Sequence, residues 1–291
     1  MRVLLAIDGS KDSLHAAEFF CRLPHDQAVE VEVLSVVNVP DLSVSTSTEA
    51  WLPEYIEQLE RSADLAFAQV EAYFEGSTAK VTHHKTSGHV GNVIVTRAND
   101  IAADLIVLGA VGHSPLARIL LGSVSDFVAS HAGCSVLIVR PPHEGAGESQ
   151  ALRVTLAYDG SKQSERALTH FDQFSWVGSV QVQVLTIVQR FRQLPYEVPH
   201  SLLDQFEQER AAAEEKSRAV VEKLRSEHVK AVCNITEAEH IGAAVVSKTN
   251  EFESDLIVMG NTGRSLIPRI LLGSVSAYVL RHARQSVWIV R

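Results

Sequence analysis

A chain of 291 residues that is 46% hydrophobic and 21% charged is long enough for two domains of ordinary size, each burying its own core. The net charge of −9 disfavours non-specific attachment to nucleic acid or to an acidic membrane surface. No apolar run reaches the roughly 18 residues a membrane-spanning helix needs, and Cys21, Cys134 and Cys233 lack the paired spacing of a disulfide framework or zinc knuckle. The start MRVLLAIDGS has no small-residue cleavage site, so the expectation is a cytoplasmic protein with reduced thiols.

In chain order, RVLLAID reads as a buried strand ending at Asp8, followed by a helical pattern from Ser10 to Leu23 and the strand VEVLSVVNV. A Ser/Thr-rich surface loop, DLSVSTSTEA, leads to a long helix from Trp51 to Phe74. The strand KVTHHKT, a helix from Val90 to Asn99, the strand DLIVLG, a helix from Ser123 to His131 and the strand SVLIVR complete the first half. PPHEGAGESQ, Pro141 to Gln150, is Pro-, Gly- and polar-rich and reads as a linker. The second half repeats the series with RVTLAYD, VQVQVLTIV, AVCNIT, DLIVMG and SVWIVR. Its long helix, Ser201 to His228, places Ser201 and Asp204 at N-capping positions.

The repetition is residue by residue. Asp8 recurs as Asp159, Gly91 as Gly242, Asp104 as Asp255, Gly109 as Gly260, Gly122 as Gly273 and Arg140 as Arg291, each 151 positions on. A whole domain is duplicated, with expected bounds 1–141 and 150–291. Five strands alternating with four helices imply, for each half, a doubly wound parallel sheet covered on both sides. The scaffold is shared but the surface is not: residues 1–141 carry 9 Lys/Arg against 17 Asp/Glu, and residues 142–291 carry 17 against 18.

Two motifs carry chemistry. GAVGHSPLARILLGS, from Gly109, and GNTGRSLIPRILLGS, from Gly260, share one skeleton: Gly, two residues, Gly, nine residues, Gly-Ser. Each begins where a buried strand ends and closes just before a helix. Glycines there permit positive φ and let backbone amides approach an anion, while the helix N-terminus favours phosphate. The competing reading is a set of turn glycines before an ordinary cap. The spacing is neither the Walker type nor G-x-G-x-x-G. At the end of the first strand, AIDGS and AYDGS place Asp8 and Asp159 where a carboxylate can meet ribose hydroxyls or a phosphate-bound metal; the alternative is that Asp, Ser10 or Ser161 simply caps the following helix.

These residues resemble the universal stress protein family, and the whole chain is similar to its tandem members: DGS after strand one, the two glycine segments, and the closing CSVLIVR and SVWIVR. The resemblance implies a Rossmann-like fold related to the adenine nucleotide alpha-hydrolases, and the glycine spacing is that of the ATP-binding branch. It implies ATP, or AMP or ADP, as ligand, with Mg2+ carried by the phosphates rather than by a protein cage. Gly109, Gly112, Gly122 and Ser123 would surround the phosphates with Val124 at the helix start, Asp8 would contact ribose, and Val36 would lie against adenine. The second set is Gly260, Gly263, Gly273, Ser274, Val275, Asp159 and Ile187, with Arg264 as an added charge where the first half has His113. Arg118 and Arg269 correspond, and either reaches phosphate or restrains its loop. Family members pair through the last strand, which implies a pseudo-dimer of the two domains within one chain and allows further homo-oligomers. The implied function is a nucleotide-dependent regulator in stress response; the alternatives are a slow ATP hydrolase and an oligomerisation scaffold with vestigial loops.

Other candidates are weaker. His83 and His84 point to opposite faces of a strand and read as surface residues. His131 and His282 end their helices as caps. Neither half offers a Ser/His/Asp constellation from sequence.

Overall fold

The computed structural model describes residues 1–26, 28–37, 51–112, 121–141, 151–190, 200–263 and 272–291, with the backbone alone at 200–206. The expected surface loop at 41–50, the linker stretch 142–150, and His113, Arg118, Arg264 and Arg269 lie outside the described residues. The chain forms two compact units, Met1–Leu23 with Gln27–Pro141 and Pro24–Asp26 with Pro142–Arg291.

In the first unit the elements are β1 (Arg2–Ile7), α1 (Lys11–Arg22), β2 (Glu30–Val37), α2 (Leu52–Tyr73), β3 (Lys80–Ser87), α3 (Val90–Asp100), β4 (Leu105–Gly109), α4 (Ser123–His131) and β5 (Ser135–Val139). The strands run in the order β3-β2-β1-β4-β5, and the pairs among them are parallel. The second unit repeats this with β6 (Leu152–Ala157), α5 (Lys162–Asp172), β7 (Val180–Gln189), α6 (His200–Leu224), β8 (Val229–Ala238), α7 (Ile241–Glu251), β9 (Leu256–Gly260), α8 (Ser274–His282) and β10 (Ser286–Val290), in the order β8-β7-β6-β9-β10. Both units are doubly wound five-stranded parallel sheets. Ser201 lies inside α6 rather than before it, and α6 ends at Leu224, four residues short of the expected end. There Ser226 N–H donates to Val229 O and the Ser226 hydroxyl accepts from Val229 N–H, closing a turn into β8.

The central strands are buried on both faces, as their unbroken apolar runs require: Val3, Leu4 and Leu5, and every residue of β4, β5, β9 and β10, lie in the interior. Side chains of opposite parity show the two layers. Phe67 of α2 stacks on His83, the partner of Val33, whereas Arg97 of α3 pairs with Glu32 on the other face through contacts of 2.6 and 2.8 Å. The second unit satisfies the place of that ion pair with neutral groups. The Gln183 amide donates to Thr155 Oγ1 and to Lys248 O, and Gln183 Oε1 accepts from Asn234. A paired charge and a fully bonded amide solve the same burial problem.

On the face away from α1 and α5, two helices approach closely because one carries a glycine. A Cβ on Gly91 would lie 2.7 Å from the Phe127 ring, and one on Gly242 would lie 2.7 Å from that of Tyr278. The same rings stack on His131 and His282, whose Nδ1 atoms lie 2.8 Å from the carbonyls of Phe127 and Tyr278. The two terminal histidines thus bond back into their own last turns. Replacing Gly242 by Val must separate α7 from α8, and we expect a loss of about 1–3 kcal/mol, typical of overpacking, measured as a lowered urea midpoint; an unchanged midpoint would show that the ring moves aside freely.

Candidate functional site

In each unit β1 or β6 lies beside β4 or β9, and the connections that leave these neighbours diverge to opposite sides of the sheet. The crevice at their C-terminal ends is where the two sequence motifs meet. Asp8 leaves β1 and turns back on itself: Ser10 N–H donates to its Oδ1 at 2.9 Å, while Ser10 Oγ caps α1 by accepting from Ser13 N–H. Gly9 between them has φ +78°, the left-handed conformation this turn needs. The same turn holds Asp159, Gly160 at φ +73° and Ser161. Capping therefore belongs to the serines, and the second carboxylate oxygen faces elsewhere.

It faces the glycine loop. A Cβ on Gly112 would lie 2.5 Å from Asp8 Oδ2, and one on Gly263 would lie 2.9 Å from Asp159 Oδ2. The remaining glycines have a reason the sequence reading did not supply. Positive φ is confined, among described glycines, to Gly9, Gly76, Gly88 and Gly160, so no described glycine of the two segments from Gly109 and Gly260 uses that freedom. Gly109 is small because the first turn of α1 rests on it: its Cβ would meet the backbone C and O of Asp12 at 2.9 Å, and that of Gly260 would meet the backbone of Gln163 at 2.8 Å. Gly122 and Gly273 close the loop at its base, their amides donating to Ala110 O and Asn261 O at 2.8 Å. Those two amides are committed within the protein.

Among the described residues, no side chain caps the start of the following helix, α4 after Gly122 or α8 after Gly273. Ser125 and Ser276 turn inward instead, donating to Gly109 O at 2.7 Å and Gly260 O at 2.9 Å. Ser123 and Ser274 stand exposed at the first helical position with Val124 and Val275 half-buried behind them. An uncapped N-terminus beside a small-residue cradle suits an anion. Val36 and Ile187 lie half-buried at the same end of the sheet, one strand away, just beyond the pairs Ile7–Ser35 and Ala157–Leu185. The structure thus gathers Asp8, Gly109, Gly112, Gly122, Ser123 and Val124 at one crevice, and their counterparts at the other; Arg264 falls outside the described residues.

The two crevices differ in their walls. Tyr158 replaces Ile7 before the aspartate, and its buried phenol donates to Glu165; burial and that carboxylate push it above its ordinary pKa. One constellation escaped the sequence reading. In the first unit Ser35 Oγ lies 3.0 Å from His83 Nε2, and His83 Nδ1 lies 3.7 Å from Asp64. His83 is not a surface residue: its side chain is 12% exposed and stacks on Phe67 at 4.4 Å. Register across β2 and β3 and a turn of α2 assemble the three, and no linear motif announces them. Ser35 is buried in mid-strand rather than on an exposed turn, and Asp64 binds Lys85 through both oxygens at 2.8 and 3.0 Å. The group holds α2 to the sheet and lacks the exposed nucleophile of a hydrolase.

Burial lowers His83 below its ordinary value of 6.5; Asp64 opposes this, while Lys85 and His84 add to it. A histidine that binds its proton less well folded than unfolded stabilises the fold above the unfolded value, and this contribution is lost as pH falls from 6.5 through the folded value. We expect the urea midpoint to fall between about pH 7 and about pH 5, and His83→Asn, which places the second half's residue there, to flatten that fall. An identical pH profile in the variant would rule His83 out.

The model of the universal stress protein family matches residues 1–140 and again 151–291. A universal stress protein of Mycobacterium tuberculosis is 29% identical over 298 residues, spanning 99% of this chain and 96% of that protein. One from Methanocaldococcus jannaschii is 34% identical over 142 residues, which is 48% of this chain and 82% of its own length. Among solved structures, a universal stress protein from Archaeoglobus fulgidus aligns with a TM-score of 0.64 at 22% identity, covering 100% of this chain and 96% of that one, a likeness of fold.

Proposed function

The chain belongs to the universal stress protein family as a tandem member, and from that premise we propose that it binds adenine nucleotides, ATP above all, at both crevices and acts as a cytoplasmic regulator whose bound state is read by partners. The supporting observation is the repeated pairing of an aspartate with a glycine that leaves no room for a Cβ, beside a helix start with no side-chain cap. That donor set fits a nucleotide: carboxylate oxygens accept from ribose hydroxyls, and first-turn amides donate to phosphate. Asp8 and Asp159 would hold the ribose side. Gly112, Ser123 and Val124, and Gly263, Ser274 and Val275, would hold the phosphates, with Val36 and Ile187 against the base.

On this reading Gly109 and Gly260 shape the site without touching the ligand, because α1 and α5 already occupy their open side. Gly122 and Gly273 act likewise, since their amides serve the loop base. Arg264 would add a cation on the second loop. Any Mg2+ would arrive with the phosphates. Each domain, 1–141 and 150–291, is proposed to be one binding unit.

Calorimetry with ATP, ADP, AMP and GTP, with native mass spectrometry to count bound nucleotides, tests this. We expect saturable binding of adenine nucleotides and stabilisation by about 2.7 kcal/mol for a site held at a hundredfold its Kd. Gly263→Val, which must displace Asp159, should weaken the second site at least about tenfold while the first stays filled, a loss of about 1.4 kcal/mol. No adenine nucleotide binding by the intact chain would sink the proposal.

A further inference from the structure

The two crevices share their floor but not their rim, and the difference is one of charge. α6 carries Lys216 across the turn that follows β6: its Cδ and Nζ lie 3.6 and 3.8 Å from where a Cβ on Gly160 would stand. Gly160 sits directly after Asp159, whose Oδ2 meets the glycine loop at Gly263. The ammonium therefore lies against the glycine that directly follows the carboxylate of the second crevice. In the first unit the equivalent glycine, Gly9, meets only the Ala66 methyl within 4 Å among the described residues. The helix register is the same, because Ala66 and Ser217 are both buried, so Lys216 corresponds to Leu65, which is 68% exposed.

A second observation points the same way. At the ends of β7 and β8, Glu237 is shared by two guanidiniums, Arg190 at 2.7 Å and Arg210 of α6 at 3.3 Å. Among the described residues, one carboxylate serves both guanidiniums. The cluster lies at the level of Ile187, since Glu237 pairs with Val188 in the strand register. In the first unit the places of Arg210 and Glu237 are taken by Leu59 and Thr86, which carry no charge.

We infer that Lys216 is a specificity-determining residue that makes the second crevice prefer the more highly charged of related nucleotides more strongly than the first crevice does. This deepens the proposed nucleotide binding and rests on it. A lysine is a point charge on a flexible stem, so it follows a polyanion without fixing its geometry. An exposed cation of this kind changes affinity by about two- to fivefold, and added salt erodes the effect.

The test is calorimetric titration of the full chain with ATP and AMP at low and high salt, for wild type, Lys216→Leu, Lys216→Arg and Leu65→Lys. We expect Lys216→Leu to lower the ATP-over-AMP preference of one site by about two- to fivefold at low salt and less at high salt, and Lys216→Arg to keep the preference. Leu65→Lys should raise the preference of the other site by a similar factor, a gain that misfolding cannot mimic. ATP and AMP affinities unchanged by both Lys216→Leu and Leu65→Lys, with nucleotide still bound, would overturn this inference and leave the binding proposal standing. Wild type that binds neither nucleotide would overturn both.

Discussion

Backbone resting on backbone at the end of the fourth strand governs the geometry of each unit. At Gly109 and Gly260 the absent side chain lets the first turn of α1 or α5 settle within 2.9 Å of the position a Cβ would take. That contact fixes where the helix begins, hence where Ser10 and Ser161 cap it, and hence how Asp8 and Asp159 turn toward the loop. A Cβ at either glycine would have to push a whole helix, since backbone atoms have no rotamer to change. The crevice follows from this approach and from the loop closure at Gly122 and Gly273.

Because these constraints are made of main chain and missing side chains, they survive divergence of almost everything around them. The polar pairs on one face of each sheet have been exchanged freely: half-buried Arg97 with Glu32 in one unit, Gln183 with Thr155 and Asn234 in the other. Either arrangement suffices because the requirement is only that buried polar atoms find partners. Ser35 and His83 give way to Thr186 and Asn234 under the same rule, with Thr186 Oγ1 donating to Tyr158 O and lying 2.7 Å from Ser217 Oγ. Rim residues face water and are freer still, and there the units part in charge.

The duplication, the strand and helix alternation and the glycine spacing were legible in the chain, because period, burial of unbroken apolar runs and punctuation by glycine are local properties. So was the turn that follows Asp8 and Asp159, whose glycine takes positive φ. α6 ends at Leu224, short of the helical pattern in the sequence, because the turn at Ser226 depends on hydrogen bonds with the strand it introduces.

The sequence by itself determined which residues form the two sheets and which small residues gather at their ends. Only the tertiary structure decided what each glycine makes room for: a helix at Gly109 and Gly260, a carboxylate at Gly112 and Gly263, a loop closure at Gly122 and Gly273. It alone joined Ser35 to His83, 48 residues apart, and laid Lys216 over Gly160. Periodicity tells a residue which face it occupies. Which neighbour it finds there is set by strand register and helix docking, to which distant parts of the chain contribute together.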